Sequence, residues 1–159
     1  MADEELVLDT TYLLPIFGID VRLKGFGELF PRLLASYAVL YNPVSLVEAK
    51  WIVLKLSGGD PSRKELLLKA YRLGLRALLS DRRLKQTGLT NPDVEEIADE
   101  LLLKAGVKDY FDRVIFATAA QQGAILLTED EELMKIGLTG IPRPKEVISW
   151  EKLIAEEEF

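Results

Sequence analysis

The sequence predicts an α/β fold with a central parallel sheet covered by helices on both faces. Three observations carry this expectation. Short apolar runs that read as buried strands alternate with longer stretches at helical spacing. Asp-Pro and Asn-Pro helix starts punctuate the chain, and no repeat, low-complexity tract or polar linker divides its 159 residues. A single domain over 1–159 follows.

Leu6 to Leu8 reads as the first buried strand, and Asp9-Thr10-Thr11 supplies side chains that cap helix N-termini. Gly18, Gly25 and Gly27 mark a loop; an apolar-rich stretch then runs from Glu28 to Tyr41, with Pro31 in its first turn. Val44 to Leu56 reads as a largely buried helix closed by Ser57-Gly58-Gly59. Asp60-Pro61 opens another, with Leu66, Leu67, Ala70, Leu73 and Ala77 at helical spacing, and Asn91-Pro92 opens a third that reaches about Lys104. Tyr110 to Gln122 reads as a helix, Ala124 to Leu127 as a strand, Glu131 to Ile136 as a short helix and Glu146 to Ser149 as a last strand. An acidic tail over about 151–159, with Glu156, Glu157 and Glu158, ends the chain. Ligands of parallel sheets bind beyond the C-terminal ends of the strands.

Composition narrows the chemistry. Cysteine and histidine are both absent, which excludes disulfides, thiol nucleophiles, zinc ribbons, Ser-His-Asp units and imidazole metal ligands. Acid–base or metal chemistry must therefore rest on carboxylates, and hard ions such as Mg²⁺ or Mn²⁺ suit an all-oxygen donor set. A chain of this length buries roughly 70% of its unfolded surface and needs no staple. The N-terminus is acidic where a secretory signal is basic, and no apolar run reaches the roughly 18 residues that span a bilayer, so a cytoplasmic chain without a membrane partner is expected.

Four carboxylates stand in costly places. Asp9 and Asp130 follow the apolar runs Leu6-Val-Leu8 and Ala124-Ile-Leu-Leu-Thr128, so both stand at strand tips on one edge of the sheet; each also suits a helix N-cap. Glu48 and Asp112 are carboxylates among apolar neighbours, where an unpaired charge costs several kcal/mol, so a cation or metal partner is expected. Ion pairs with Lys50, Lys55 or Arg113 are the alternative, but residues one or two apart on a helix do not face each other. Asp109 is the better N-cap for the helix that carries Asp112. Together the four acids point to a metal site.

The segments Val7-Leu-Asp9-Thr10, Ser45-Leu-Val-Glu48-Ala, Asp112-Arg-Val-Ile-Phe-Ala-Thr-Ala119 and Leu126-Leu-Thr128-Glu-Asp130 resemble, in order, those of the PIN-domain nucleases, which include the toxin ribonucleases of VapBC toxin–antitoxin pairs. The resemblance implies a three-layer α/β/α sandwich, dependence on Mg²⁺ or Mn²⁺ and cleavage of RNA phosphodiesters. It makes Asp9, Glu48, Asp112 and Asp130 the acidic quartet, with Thr10 and Thr128 as neighbouring hydroxyls. Asp9 and Asp112 are then expected to hold the principal ion, with Glu48 contacting it directly or through water and Asp130 holding a second ion or orienting water. An antitoxin protein and a second copy of the chain are the protein partners that the resemblance suggests.

The net charge of −6 is unfavourable for a nucleic-acid enzyme, but it is unevenly spread. Residues 60–87 carry a net +5, leaving about −11 elsewhere. Lys69, Arg72, Arg76 and Arg83 share one helix face if the helix extends that far, and with Arg82 they are the candidate RNA-binding residues; a solvated face is the plain alternative. Tyr71 is placed either to stack on a base or to pack internally. Exposed apolar residues among Phe26, Leu29, Phe30 and Leu33 would mark a protein interface. Two other functions compete with the endoribonuclease: a non-catalytic PIN-like module that binds RNA or protein in RNA processing or ribosome assembly, and a phosphatase with Asp9 as nucleophile. The phosphatase class resembles Asp-x-Asp at the first strand, and here Thr11 fills the second position.

Overall fold

The computed structural model describes residues 3–137 and 140–156. Its centre is β1 (Glu5–Leu8), whose three apolar residues are fully buried. Side chains alternate across a strand, so Leu6 and Leu8 enter one core layer and Val7 the other. A 3-10 helix (Thr10–Phe17) follows, capped by Asp9, whose side chain accepts from the Thr10 N–H. Then come α1 (Phe26–Ser36), β2 (Ala38–Tyr41), α2 (Val44–Ser57), α3 (Pro61–Ser80), β3 (Leu84–Gln86), α4 (Pro92–Ala105), α5 (Tyr110–Gln122), β4 (Ile125–Leu127), α6 (Glu131–Met134), β5 (Glu146–Ile148) and α7 (Trp150–Glu156).

Among the described residues the sheet has five strands, all parallel, in the order β3-β2-β1-β4-β5. The first layer, built on Leu6 and Leu8, is completed by the 3-10 helix, α1, α2, α3 and α7; the second, built on Val7, by α4, α5 and α6. This is the three-layer α/β/α sandwich, with β1 at its middle.

Several local expectations change. The apolar stretch from Glu28 to Tyr41 is not one element but α1, which already begins at Phe26, followed by β2; Pro31 therefore lies in the second turn, on the exposed side. β3 has no counterpart in the sequence reading. The helix over Val44 to Leu56 is less buried than expected, with Val47 at 51% and Trp51 at 60% exposure. The acidic tail begins as a helix, because Trp150 and Leu153 are buried against the first layer; Glu157 and Glu158 lie outside the described residues.

Gly74 explains how α3 sits so close to the 3-10 helix. A Cβ there would lie 2.3 Å from the carbonyl oxygen of Ile16, so only glycine allows this approach. Asn42, fully buried after β2, ties the sheet edge together. Its Oδ1 accepts from the Val44 N–H (2.8 Å) at the start of α2, while its amide donates to Leu89 O (2.9 Å) and Thr118 Oγ1 (2.9 Å).

Candidate metal centre

The pairing of β1 with β4 sets Leu8 beside Leu127, so the residues just beyond both strands emerge side by side. Asp9 N–H donates to Leu127 O at 3.0 Å. Thr128 Oγ1 donates to Asp9 Oδ2 at 2.6 Å, and the Thr10 N–H holds Asp9 Oδ1 at 2.8 Å. Both oxygens of this buried carboxylate are thereby oriented. Thr128 also accepts from the Asp130 N–H at 3.0 Å, and Asp130 in turn caps α6 through Glu132 N–H at 2.8 Å.

From the other side, α2 presents Glu48. Thr10 Oγ1 donates to Glu48 Oε1 and lies 2.9 Å from Ser45 Oγ, which anchors the glutamate to the tip of β1. Asp112 stands in the first turn of α5, where Asp109 is the N-cap and accepts from the Asp112 N–H at 3.3 Å. All four expected acids, with Thr10, line one cleft of about 320 Å³ together with Ile52 and Glu129. Thr128 is fully buried just behind Asp9.

Electrostatics shows what this crowding does. Burial raises the Asp112 carboxyl to about 8, reinforced by the charges of Asp9 and Asp109 and by a proton shared with Asp130. Asp9 is raised by burial despite its bonds from Thr128 and Thr10, and Glu48 is raised by burial despite its bond from Thr10. Neither Glu48 nor Asp112 is in an ion pair among the described residues, so the alternatives with Lys50, Lys55 and Arg113 are not realised. Arg113 instead lies over the Tyr110 ring at 5.2 Å. Glu48, Asp109 and Asp112 each offer an oxygen within 4.8 Å of the others. An all-oxygen donor set whose members resist ionising together fits a hard divalent cation.

Asp109 is the residue that sequence reasoning placed only as a cap. Its signal was available: residues three apart on a helix are neighbours, so a capping carboxylate at 109 stands beside the one at 112.

The sequence profile of the PIN domain matches residues 6–137. The chain belongs to the PIN domain family. Solved structures with the same fold include VapBC2 of Rickettsia felis bound to a promoter DNA fragment, at 17% identity over 92% of this chain and 98% of that one, with a TM-score of 0.62. The Mycobacterium tuberculosis toxin VapC20, which cleaves the sarcin-ricin loop, matches at 21% identity over 76% of this chain and 86% of that one, with a TM-score of 0.51. FitAB bound to a DNA fragment matches at 19% identity over 91% and 94%, with a TM-score of 0.56. Curated proteins give no significant match.

In this PIN domain the candidate RNA-binding cations do not line the cleft. Lys69, Arg72 and Arg76 are exposed on α3, which ends at Ser80, so Arg82 and Arg83 lie beyond the helix and do not continue its stripe; Arg83 pairs with Asp81 at 2.8 Å. Tyr71 is buried, with its ring stacked on Phe17 at 4.7 Å and its hydroxyl donating to Leu46 O at 2.7 Å, so it packs rather than awaits a base. Phe26 and Leu33 are buried and Leu29 and Phe30 half-buried; exposed apolar residues occur instead elsewhere, among them Val47, Trp51 and Leu54 of α2, Leu66, Leu73 and Leu79 of α3 and Leu103 of α4.

Proposed function

We propose that this PIN domain is a metal-dependent endoribonuclease that hydrolyses RNA phosphodiesters at the cleft of Asp9, Glu48, Asp112 and Asp130. The observation that carries this reading is the convergence of those four acids, from two strand tips and two helices, on one cleft that no Lys or Arg lines among the described residues.

Glu48, Asp109 and Asp112 would hold Mg²⁺ or Mn²⁺, with Asp9 and Asp130 facing the same space. A divalent ion bound there offsets the charge of the phosphodiester and acidifies water, supplying a nucleophile that a chain without histidine otherwise lacks. Thr128 and Thr10 keep Asp9 and Glu48 pointed into the cleft by donating to them, which leaves the other carboxylate lone pairs for the cation. Burial and the neighbouring acids raise the Asp112 carboxyl, and a cation held beside it would favour its ionised form.

VapC20 is a toxin and VapBC2 is a pair of the toxin–antitoxin kind named above, and we extend that role to this chain: a toxin ribonuclease held by an antitoxin, acting as a homodimer. The exposed Val47, Trp51 and Leu54, spaced four and three apart on α2, support a protein partner. Co-purification with the product of the adjacent gene, and the sedimentation of the chain alone, test these two parts.

The central experiment incubates end-labelled single-stranded RNA with the protein in Mg²⁺, Mn²⁺ or EDTA, beside Asp9→Asn and Asp112→Asn. Cleavage only by the wild type with metal is expected. Cleavage that survives EDTA or either substitution refutes the mechanism, and binding without cleavage in every condition makes the chain a non-catalytic module.

A further inference from the structure

Glu129 lines a second cavity as well as the cleft. That cavity encloses about 610 Å³, nearly twice the cleft, and its walls include Arg22, Leu23, Lys24, Trp150, Glu151 and Ile154. Its frame is fixed by hydrogen bonds. Tyr12 Oη donates to Glu129 Oε2 at 2.5 Å, the Trp150 N–H donates to the same oxygen at 2.9 Å, and the Trp150 indole N–H donates to Lys24 O at 2.8 Å. Arg22 and Lys24 are exposed, and among the described residues neither is in an ion pair.

We propose that this cavity is the subsite for the nucleotide next to the scissile phosphodiester of a single-stranded RNA, with its phosphate on Arg22 and Lys24 and its base against Leu23 and Ile154. The inference rests on the ribonuclease reading above. A strand whose scissile phosphate lies in an all-acidic cleft must find its cations next door, and these two line the cavity that shares a wall with that cleft. The cations of α3 do not. A nucleotide also needs apolar surface for its base, which Leu23 and Ile154 provide, and acceptors for its amino groups. Glu129 and Glu151 accept from the exocyclic amines of guanine, adenine or cytosine, whereas uracil offers carbonyls there. The subsite therefore disfavours uracil.

Arg22 permits a clean test, because it has the one positive φ of a non-glycine residue among the described residues, 54°. Glycine accepts that conformation, and the bond from the residue 22 N–H to Asp20 Oδ1 uses only backbone of residue 22. Arg22→Gly thus removes the cation without straining the loop, and Lys24→Gln keeps the backbone carbonyl that holds Trp150. Wild type and the double variant are compared on RNA oligonucleotides lengthened one nucleotide at a time on either side of the cleaved bond. The expected result is a gain of about tenfold or more in kcat/KM when the cavity nucleotide is added to the wild type, a smaller gain with uracil, and none with the variant. Equilibrium anisotropy with the same labelled oligonucleotides in Ca²⁺ should show the slope of log affinity against log salt falling by about 0.7 per lost phosphate contact. Equal gains or equal salt slopes in both proteins overturn the subsite. A wild type that cleaves none of the oligonucleotides refutes the ribonuclease reading instead, and anisotropy still judges the cavity.

Discussion

Asp112→Asn should make the metal-free protein more stable while abolishing metal-dependent cleavage. Its carboxyl is raised from 3.8 to about 8 by burial and by Asp9, Asp109 and Asp130 around it. A raised folded value means that the folded state holds a proton the unfolded state has lost, so stability is full below about pH 4 and declines as pH rises through about 8. Asparagine is neutral throughout and escapes that decline. With complete desolvation the difference at pH 7.5 would be about 5 kcal/mol, but Asp112 is partly exposed and water screens most of this, leaving about 1–2 kcal/mol. For a domain of this size that is a rise in Tm of about 2–8 °C. Thermal melts of both proteins in EDTA from pH 4 to 8.5 provide the assay. The curves should coincide near pH 4 and diverge above it; adding Mn²⁺ at pH 7.5 should raise the wild type and leave the variant. A flat wild-type profile, or a variant less stable than wild type at pH 7.5, would refute the crowding of like charges at this site.

Three further outcomes are expected. Asp109→Asn keeps an N-cap as good as aspartate but removes a charge from the cleft, so stability should stay within about 0.5 kcal/mol while Mn²⁺ affinity by calorimetry falls about tenfold or more; Asp109→Ala should lose about 1 kcal/mol as well. Gly74→Ala forces a methyl against Ile16 O at 2.3 Å, and overpacking of about 1–3 kcal/mol or more should outweigh the roughly 1 kcal/mol helix preference for alanine, visible as a lower urea midpoint. Asn42→Ala strands the buried Val44 N–H and removes the buried bond to Thr118, and should cost about 2–4 kcal/mol in urea unfolding, with activity falling because the start of the helix that carries Glu48 loses its anchor.

The acids of the cleft were legible because a carboxylate inside an apolar run is expensive, and because strand tips in a parallel sheet share an edge. What escaped had weaker local signals. β3 is three residues, of which only Leu84 is buried, and it exists through its pairing with β2. The break between α1 and β2 falls at Ser36-Tyr37, without the glycine or proline that marks other boundaries, so tertiary pairing rather than local propensity decides it. α2 is apolar on several sides, and periodicity does not distinguish a face turned to the core from one left open at Trp51. Arg22 and Lys24 belong to a loop, where no spacing rule applies, and they share a cavity with α7 only because Trp150 donates to Lys24 O.

The sheet order also sets when the cleft exists during folding. β1 is the first strand made, yet its neighbour β4 arrives more than a hundred residues later, and the bond from Thr128 to Asp9 spans 119 positions. A chain that has synthesised Asp9, Glu48 and even Asp112 can orient one Asp9 oxygen through the Thr10 N–H, but it lacks Thr128, which holds the other. The complete cleft therefore forms late, because Asp9 and Asp130 come together only when the last third of the chain has joined the first.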